Sequence, residues 1–124
     1  MIKAKHINEP ASADDGLRVL IEPAWPPGVG RERAVLDMWL KDLSPSQRLS
    51  ARLQDDTLSW GDYVLLYSVE LEKNRAYFPG LQEHNRNSGL TLLHASPDKE
   101  HNAATALKMI LEDEERAARV PRGI

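Results

Sequence analysis

The chain has 124 residues and the composition of an ordinary folded domain, with 41% apolar and 28% charged residues. Two domains of half this length would each be too small to hold a core unaided, so one domain is expected. The absence of cysteine excludes disulfide frameworks, thiolate metal sites and cysteine nucleophiles. The net charge of −3 argues against a dedicated nucleic-acid binder, whose affinity comes mainly from a basic surface.

The first part of the chain predicts two strands and a stiff loop. Residues 2–7 alternate apolar and basic side chains, and the β-branched run at residues 17–21 follows a turn signal. About nine residues separate the two strands, fewer than the dozen that a parallel crossover needs. We therefore expect them to pair in antiparallel fashion or not to be neighbours, within a mixed sheet. Residues 22–30 contain three prolines and two glycines, which predict a loop.

The middle of the chain is predicted to be mainly helical. Residues 31–43 carry leucines at helical spacing, yet residues 38–40 would also suit a buried strand, so a short helix followed by a strand is favoured. Ser44 and Pro45 predict the start of a helix that ends near Gln54. Residues 60–74 favour a helix by length, although their β-branched and aromatic content would suit a strand. The pair Pro79 and Gly80 is expected to end this unit.

The last part of the chain predicts a turn, a strand and a long helix. Residues 85–89 are rich in turn formers, and residues 90–95 have the apolar content of a buried strand. Ser96 and Pro97 predict the helix start, and Ala103, Leu107 and Ile110 form its apolar stripe. The pattern as a whole predicts an α/β domain over residues 1–119, with a small mixed β-sheet flanked by helices in two or three layers. Residues 120–124 are expected to form a loose C-terminal tail.

No stretch of the sequence approaches the ~20 apolar residues that a membrane span requires, and the first residues lack the apolar segment of a signal peptide. We therefore expect a cytoplasmic protein without a membrane partner. Gly28 and Gly30 do not form a dinucleotide fingerprint, and no Walker loop, nucleophile elbow or H-E-x-x-H motif is present. No cofactor is expected, and the sequence carries no signal for an oligomeric state.

Three segments carry distinctive residue patterns. Residues 20–28 read Leu-Ile-Glu-Pro-Ala-Trp-Pro-Pro-Gly, residues 36–46 read Leu-Asp-Met-Trp-Leu-Lys-Asp-Leu-Ser-Pro-Ser, and residues 92–103 run from Leu-Leu-His-Ala to Glu-His-Asn-Ala. In order and separation they resemble the DUF488 family, small bacterial proteins without an established activity, in its short YeaO-like branch. The resemblance spans about residues 16–111 and implies a helix that carries a set of aromatic and other matching residues: Trp60, Tyr63, Tyr67, Glu70 and Leu71.

The chain departs from the family pattern at three arginine positions. Where such proteins usually read Asp-Arg-Leu-Trp-Pro-Arg-Gly, Pro23 and Pro27 replace the two arginines, and Ser50 replaces a third. Arginine is suited to bidentate recognition of anions, whereas proline supplies neither a charge nor a donor. The resemblance therefore implies an anion pocket that is largely dismantled here. Three other arginines are candidates to compensate: Arg31, Arg33 and Arg48.

Candidate ligand-binding residues follow two of the predicted strands. Ligands of open α/β sheets gather beyond the carboxyl ends of the strands, where a helix N-terminus also offers free N–H groups. If the two strands run parallel, the loop at residues 22–30 and the segment 94–102 converge on one edge. Trp25 would then be a stacking platform or, as we favour, a plug over the sheet edge. Gly28, His94, Ser96 and Asn102 are the other candidates, although Asn102 is also suited to tie the helix start to a neighbouring loop.

Candidate catalytic residues lie in the same segments. His101 would act as a general acid–base with Asp98 or Glu22 as its orienting group. The favoured alternative is that Asp98 simply stabilises a helix start. Lys41 either faces the same crevice or forms an exposed ion pair with Asp42. The histidines and Asp98 lack a spacing typical of metal ligands, so no metal site is predicted.

Three functions are compatible with these residues. The favoured one is a divergent or non-catalytic domain that binds a small molecule or has a regulatory role. The first alternative is an enzyme that acts on a small anionic or nucleotide-like substrate by histidine and carboxylate acid–base chemistry. The second alternative, a transcription- or RNA-associated factor, is disfavoured by the acidic balance of charges. A small anionic ligand is the expected partner, and a nucleic acid is not.

Overall fold

The computed structural model describes residues 1–119. Its strands are β1 (Ile2–His6), β2 (Leu17–Leu20), β3 (Met38–Trp39) and β4 (Leu90–His94). Its helices are α1 (Arg31–Ala34), α2 (Gln47–Gln54), α3 (Trp60–Glu70), α4 (Phe78–Asn87) and α5 (Ala103–Arg119). Short 3₁₀ segments lie at Ala13–Asp15, Lys41–Leu43 and Leu71–Tyr77. The predicted tail at residues 120–124 lies outside the described residues.

The α/β class predicted from the sequence is confirmed, but the sheet is parallel. The strand order is β1-β4-β2-β3, and all three pairings between neighbours are parallel. The prediction of a mixed sheet is therefore wrong. Ile2 of β1 and Leu17 of β2 both lie opposite Leu90, because β4 is inserted between the first two strands. The short connection thus does not cross between adjacent parallel strands, and the alternative that β1 and β2 are not neighbours is confirmed.

The two faces of the sheet bury different partners, because alternate residues of a strand point to opposite faces. On one face Ile2, Val19 and Leu92 belong to the main core, which includes residues of α2, α3, α4 and α5. On the other face Leu20 and Leu93 belong to a smaller cluster, which α1 and loop residues complete. The four longer helices therefore form one layer on one side of the sheet, and the short helix α1 and loops cover the other side.

The helical predictions for the middle of the chain are confirmed in type but not in every boundary. A short helix and then a strand occupy residues 31–43, as α1 and β3. Helix α2 ends at Gln54 as predicted, but its N-cap is Ser46 rather than Ser44. The Ser46 hydroxyl oxygen accepts a hydrogen bond from the Leu49 N–H at 3.1 Å, while the Glu70 carboxylate accepts from the Ser46 N–H and hydroxyl. A contact from α3 thus helps to fix the start of α2.

Two other helix boundaries were predicted wrongly. Pro79 and Gly80 do not end a helical unit but lie in the first turn of α4, where the missing N–H of proline has no helical acceptor to lose. The last helix does not start after Ser96, since α5 begins at Ala103. Asn102 caps it, because its side-chain oxygen accepts from the Thr105 N–H at 2.9 Å.

A buried cluster of charges lies beside the start of β2. The Asp15 carboxylate accepts hydrogen bonds from Lys5 at 3.0 Å and from Arg18 at 2.5 Å, and both Asp15 and Arg18 are buried. The Arg18 guanidinium also donates to the carbonyls of Ala34 and Val35, at 3.0 and 2.9 Å. The ion pairs of Asp15 with Lys5 and Arg18, together with the hydrogen bonds of Arg18, therefore join β1, β2 and the end of α1.

Candidate functional site

The carboxyl ends of the strands share one edge of the sheet, because every pairing is parallel. Leu20 of β2 lies opposite Leu93 of β4, so the loop that follows β2 and the segment that follows β4 leave adjacent strands together. The parallel arrangement on which the predicted convergence depends is therefore present. This edge is also the position at which open α/β sheets bind ligands.

A cavity of about 420 Å³ lies at this edge, and we call it the strand-end cavity. Four of the predicted site residues line it: Glu22, Ser96, His101 and Asn102. Two of the three positions at which the family resemblance places arginine also line it, Pro23 and Ser50. No lysine or arginine of residues 1–119 is among its lining residues. The cavity therefore combines candidate residues from both converging segments with neutral side chains at two arginine positions.

Among the residues that the structure describes, Glu22 is the only carboxylate that lines the strand-end cavity. Its side chain is partly buried, and burial raises the pKa of Glu22, although the backbone N–H of Ala95 offsets part of this effect. Its backbone carbonyl accepts a hydrogen bond from the Trp39 indole N–H at 2.8 Å. The tie to β3 fixes the start of the loop and hence the position from which the carboxylate extends.

His101 belongs to a stack of aromatic rings at the cavity. Its imidazole lies 4.7 Å from the Trp60 ring at an angle of 22°, and Trp60 in turn stacks on Tyr63 at 5.5 Å and 19°. The Asp98 carboxylate accepts from the backbone N–H groups of His101 and Glu100, and these bonds lower the pKa of Asp98. Asp98 thus contacts the backbone of His101, and the contact that orients the imidazole is the stack on Trp60.

Asn102 is buried, and both ends of its side chain are engaged within the protein. Its amide nitrogen donates to the Asp98 carbonyl at 2.9 Å, while its oxygen caps α5 through Thr105. This is the tie between helix start and loop that the sequence offered as an alternative to ligand binding. Ser96 is similarly engaged, since its hydroxyl oxygen accepts from the Asp98 N–H at 3.1 Å.

His94 ends β4 as a buried, neutral residue outside the strand-end cavity. Its Nδ1 accepts from the Ser96 N–H at 3.1 Å, and its ring packs edge-on against His6 with 5.4 Å between centroids. Burial and the neighbouring His6 lower the pKa of His94 to about 4. The neutral ring carries its proton on Nε2, which therefore has no free lone pair for a metal. Within residues 1–119, no three histidine or acidic side chains lie close enough together to hold a metal ion.

Trp25 and Gly28 do not line the strand-end cavity. Trp25 packs edge-on against Trp39 at 5.5 Å, donates to the Val29 carbonyl at 2.7 Å and lies 4.5 Å below the Arg31 guanidinium. Trp25 also lines a small separate cavity of about 190 Å³ together with Arg31 and Trp39, so both the plug and the stacking platform remain predictions. Gly28 has a φ of 78°, and a Cβ there would meet no atom within 4 Å, so glycine serves the backbone turn.

Lys41 lies in a second, neighbouring cavity of about 620 Å³, which Asp42, Glu70 and Lys73 also line. Its ammonium group lies 4.2 Å above the Trp39 ring. Asp42 accepts a hydrogen bond from the Tyr77 hydroxyl, and no ion pair with Lys41 is present among residues 1–119. The structure thus brings Glu22 and His101 to one cavity but places Lys41 in another.

The aromatic stack of Trp60 and Tyr63 beside the cavity was not predicted from the sequence, because helical spacing alone does not tell which cavity a helix face will border. The family resemblance, which places both residues on one helix, was the available signal. None of the arginines proposed to compensate lines the strand-end cavity: Arg31, Arg33 and Arg48.

The model of one protein family matches residues 1–122, and that family is described as the inactive DUF488-N3 subclade. The chain belongs to this DUF488 subclade. The resemblance inferred from the three motifs is therefore confirmed, and the match extends over nearly the whole chain. Membership in DUF488 carries no specific activity with it.

Individual DUF488 relatives are distant in sequence. The uncharacterised protein YeaO of Escherichia coli is 27% identical over 106 residues, which cover 86% of this chain and 92% of YeaO. Uncharacterised proteins of Mycobacterium bovis and Mycobacterium tuberculosis are 27% identical over 75 residues, or 60% of this chain. The chain spans 64% of the length of these mycobacterial relatives. No solved structure matches the chain.

The prediction that no segment of the chain spans a membrane can be compared with the helices of the structure. Across residues 1–119, no helix combines the length and the apolar content that crossing a bilayer requires.

Proposed function

We propose that this chain is a non-catalytic binding or regulatory domain that keeps a small-molecule cavity from which the anion-binding arginines are missing. One observation carries the proposal. Pro23 and Ser50, at positions where the family pattern has arginine, line the same cavity as Glu22 and His101. Pro23 lies in the loop after β2 and Ser50 lies in α2, so the two substitutions fall together in space although they are 27 positions apart in the sequence.

The surroundings of the cavity agree with a lost anion site. Phosphate and carboxylate groups are bound most specifically by the fork of an arginine side chain, and no arginine within the described part of the chain lines this cavity. Arg31 instead lies over Trp25. Pro27, the third replaced position, is exposed and does not line the cavity, so its replacement has a weaker connection to ligand binding. The description of the subclade as inactive supports a role without catalysis.

Restoring the two guanidinium groups tests the proposal. The double variant Pro23→Arg/Ser50→Arg is expected to bind phenyl phosphate at least about tenfold more tightly than the native chain in isothermal titration calorimetry, because a charge-assisted pair is re-created. Pro27→Arg is the control, since it adds one guanidinium to the loop that contains Pro23 but outside the cavity. A folded double variant with the affinity of the native chain, or one that gains no more than Pro27→Arg, would contradict the proposal.

A second candidate function is an acid–base enzyme for a small anionic or nucleotide-like substrate. It is favoured by one observation, that Glu22 and His101 line the same cavity while burial raises the pKa of Glu22 towards the range of a general acid. It ranks second because the described lining residues include no lysine or arginine to hold such a substrate. A turnover found with small phosphate esters and abolished by both Glu22→Gln and His101→Gln would put it first.

A further inference from the structure

The strand-end cavity contains a carboxylate that no basic side chain of the described residues neutralises. The ten ion pairs within residues 1–119 engage other acidic residues, and none of them includes Glu22. Glu22 is partly buried and faces a cavity whose lining has no lysine or arginine. A charge withdrawn from water without a partner is unfavourable, and a bound cation would remove that penalty.

Two other polar side chains that line the cavity, Ser96 and Asn102, are already engaged within the protein, and no described residue of the lining besides Glu22 carries a carboxylate. The Asn102 amide bonds the Asp98 carbonyl and the backbone of α5, and the Ser96 hydroxyl accepts from the Asp98 N–H. The Asp98 carboxylate is held by two backbone N–H groups and lies outside the cavity lining. Glu22 is therefore the strongest hydrogen-bond acceptor that the cavity offers to a ligand.

The remaining walls suit a flat, apolar group. Tyr63 and His101 present rings to the cavity, and both belong to the stack through Trp60. Pro23, Pro45 and the aliphatic part of the lining add surface without charge. Aromatic faces attract cations as well as planar rings, so these walls act in the same sense as the carboxylate.

We propose that the strand-end cavity binds a small organic cation, an amine or guanidinium attached to a planar apolar group, with the Glu22 carboxylate as its counter-ion. This inference rests on the proposed function, since it assigns the class of ligand to the same cavity. The replaced arginines are part of the argument, because a guanidinium at position 23 or 50 would itself pair with Glu22 and occupy the space. Their loss converts a site for anions into one for cations.

Three probes of nearly equal size and different charge test the inference: benzylamine, benzyl alcohol and benzoate. Titration calorimetry of the native chain is expected to show benzylamine binding at least about tenfold more tightly than benzyl alcohol, with benzoate weaker than both. Glu22→Gln should lower the affinity for benzylamine to that for benzyl alcohol and leave benzyl alcohol within about twofold. Glu83→Gln, which removes an equal charge from the exposed face of α4, is the control and should change neither.

The double variant Pro23→Arg/Ser50→Arg separates this inference from the proposed function. We expect it to lose benzylamine binding while it gains phenyl phosphate. Equal affinities for the three probes, or an undiminished affinity of Glu22→Gln for benzylamine, would contradict the inference of a cationic ligand. Neither result would contradict the proposed function, which is the loss of an anion site. If no probe binds the native chain, the inference fails, and the response of the double variant to phenyl phosphate decides whether the proposed function fails with it.

Discussion

Asp15 and Glu22 flank strand β2 and have opposite environments. Asp15 precedes the strand, is buried, and is surrounded by Ser12, Lys5 and Arg18. Burial opposes its ionisation, but the hydrogen bonds from Ser12 and Lys5 outweigh this and hold the pKa of Asp15 well below its ordinary value. Glu22 follows the strand, has no cationic partner among the described residues, and has its pKa raised by burial.

The difference separates a structural carboxylate from an available one. A buried charge with a full set of donors holds the chain together and has little capacity left for a ligand. A partly buried charge in a cavity, with no counter-ion, contributes little to folding and keeps that capacity. The same residue chemistry on either side of one strand therefore serves the fold in one case and a site in the other.

Removing each charge in turn breaks the comparison most directly. Asp15→Asn should lower the free energy of unfolding by about 3–5 kcal/mol, because it leaves the Arg18 guanidinium buried without its anion. Glu22→Gln should change it by no more than about 0.5 kcal/mol, since it removes a charge that has no cationic partner among the described residues. Urea denaturation of the two variants at neutral pH measures both values, and comparable losses would show that the two carboxylates do not differ as described.

The dependence of stability on pH extends the comparison to His94, which lies at the carboxyl end of β4. The pKa of His94 is about 4 in the fold against 6.5 for a free histidine, so the unfolded chain binds the proton first. Stability should therefore fall as the pH drops from 6.5 to 4, by about 1–3 kcal/mol from this residue. His94→Phe should remove that part of the loss, as measured by urea titrations at both pH values.

An exposed histidine provides the control for this pH effect. His84 lies on the surface of α4, and His84→Ala should keep the acid sensitivity of the native chain. An unchanged pH profile in a folded His94→Phe variant would mean that another group causes the loss.

The smallest expected effect concerns the backbone at Val35, which Arg18 contacts through a hydrogen bond. Val35 has a φ of 49°, a left-handed conformation that is costly for a β-branched residue, and its carbonyl accepts from the Arg18 guanidinium. Val35→Gly should raise the free energy of unfolding by up to about 1 kcal/mol in thermal denaturation. Asp56→Gly, at a φ of 61°, should gain less because aspartate tolerates this region better. An equal gain at both positions would argue against strain at Val35.

Element types were predictable from the sequence because they depend on local pattern. The strand at residues 90–94 and the helix at residues 60–70 follow from apolar runs and length. The residues at which helices start were not predictable in the same way. Ser44 and Ser46 both suit an N-cap, and only the contact of Ser46 with Glu70 selects between them. The mixed sheet was predicted wrongly for a similar reason, because β4, the strand that separates β1 from β2, lies about seventy positions later in the chain than β2.

The candidate site was likewise predictable from the sequence only in part. Glu22, His101 and Asn102 could be named from the sequence, because polar residues that follow strands are expected at a ligand-binding edge. That Lys41 would lie in a different cavity, and that Tyr63 would form a wall of this one, depends on how α2 and α3 pack against the sheet. Side-chain spacing within one helix carries no information about such contacts.

The sequence by itself determined the family, the α/β class and the loss of arginine at three positions. Those properties follow from local patterns and residue identities, which do not depend on contacts with distant residues. Only the tertiary structure decided that Pro23 and Ser50 share a cavity with Glu22, and that Asp15 is neutralised while Glu22 is not. Charge and access depend on which distant groups fold into contact, since electrostatic interactions act through space rather than along the chain.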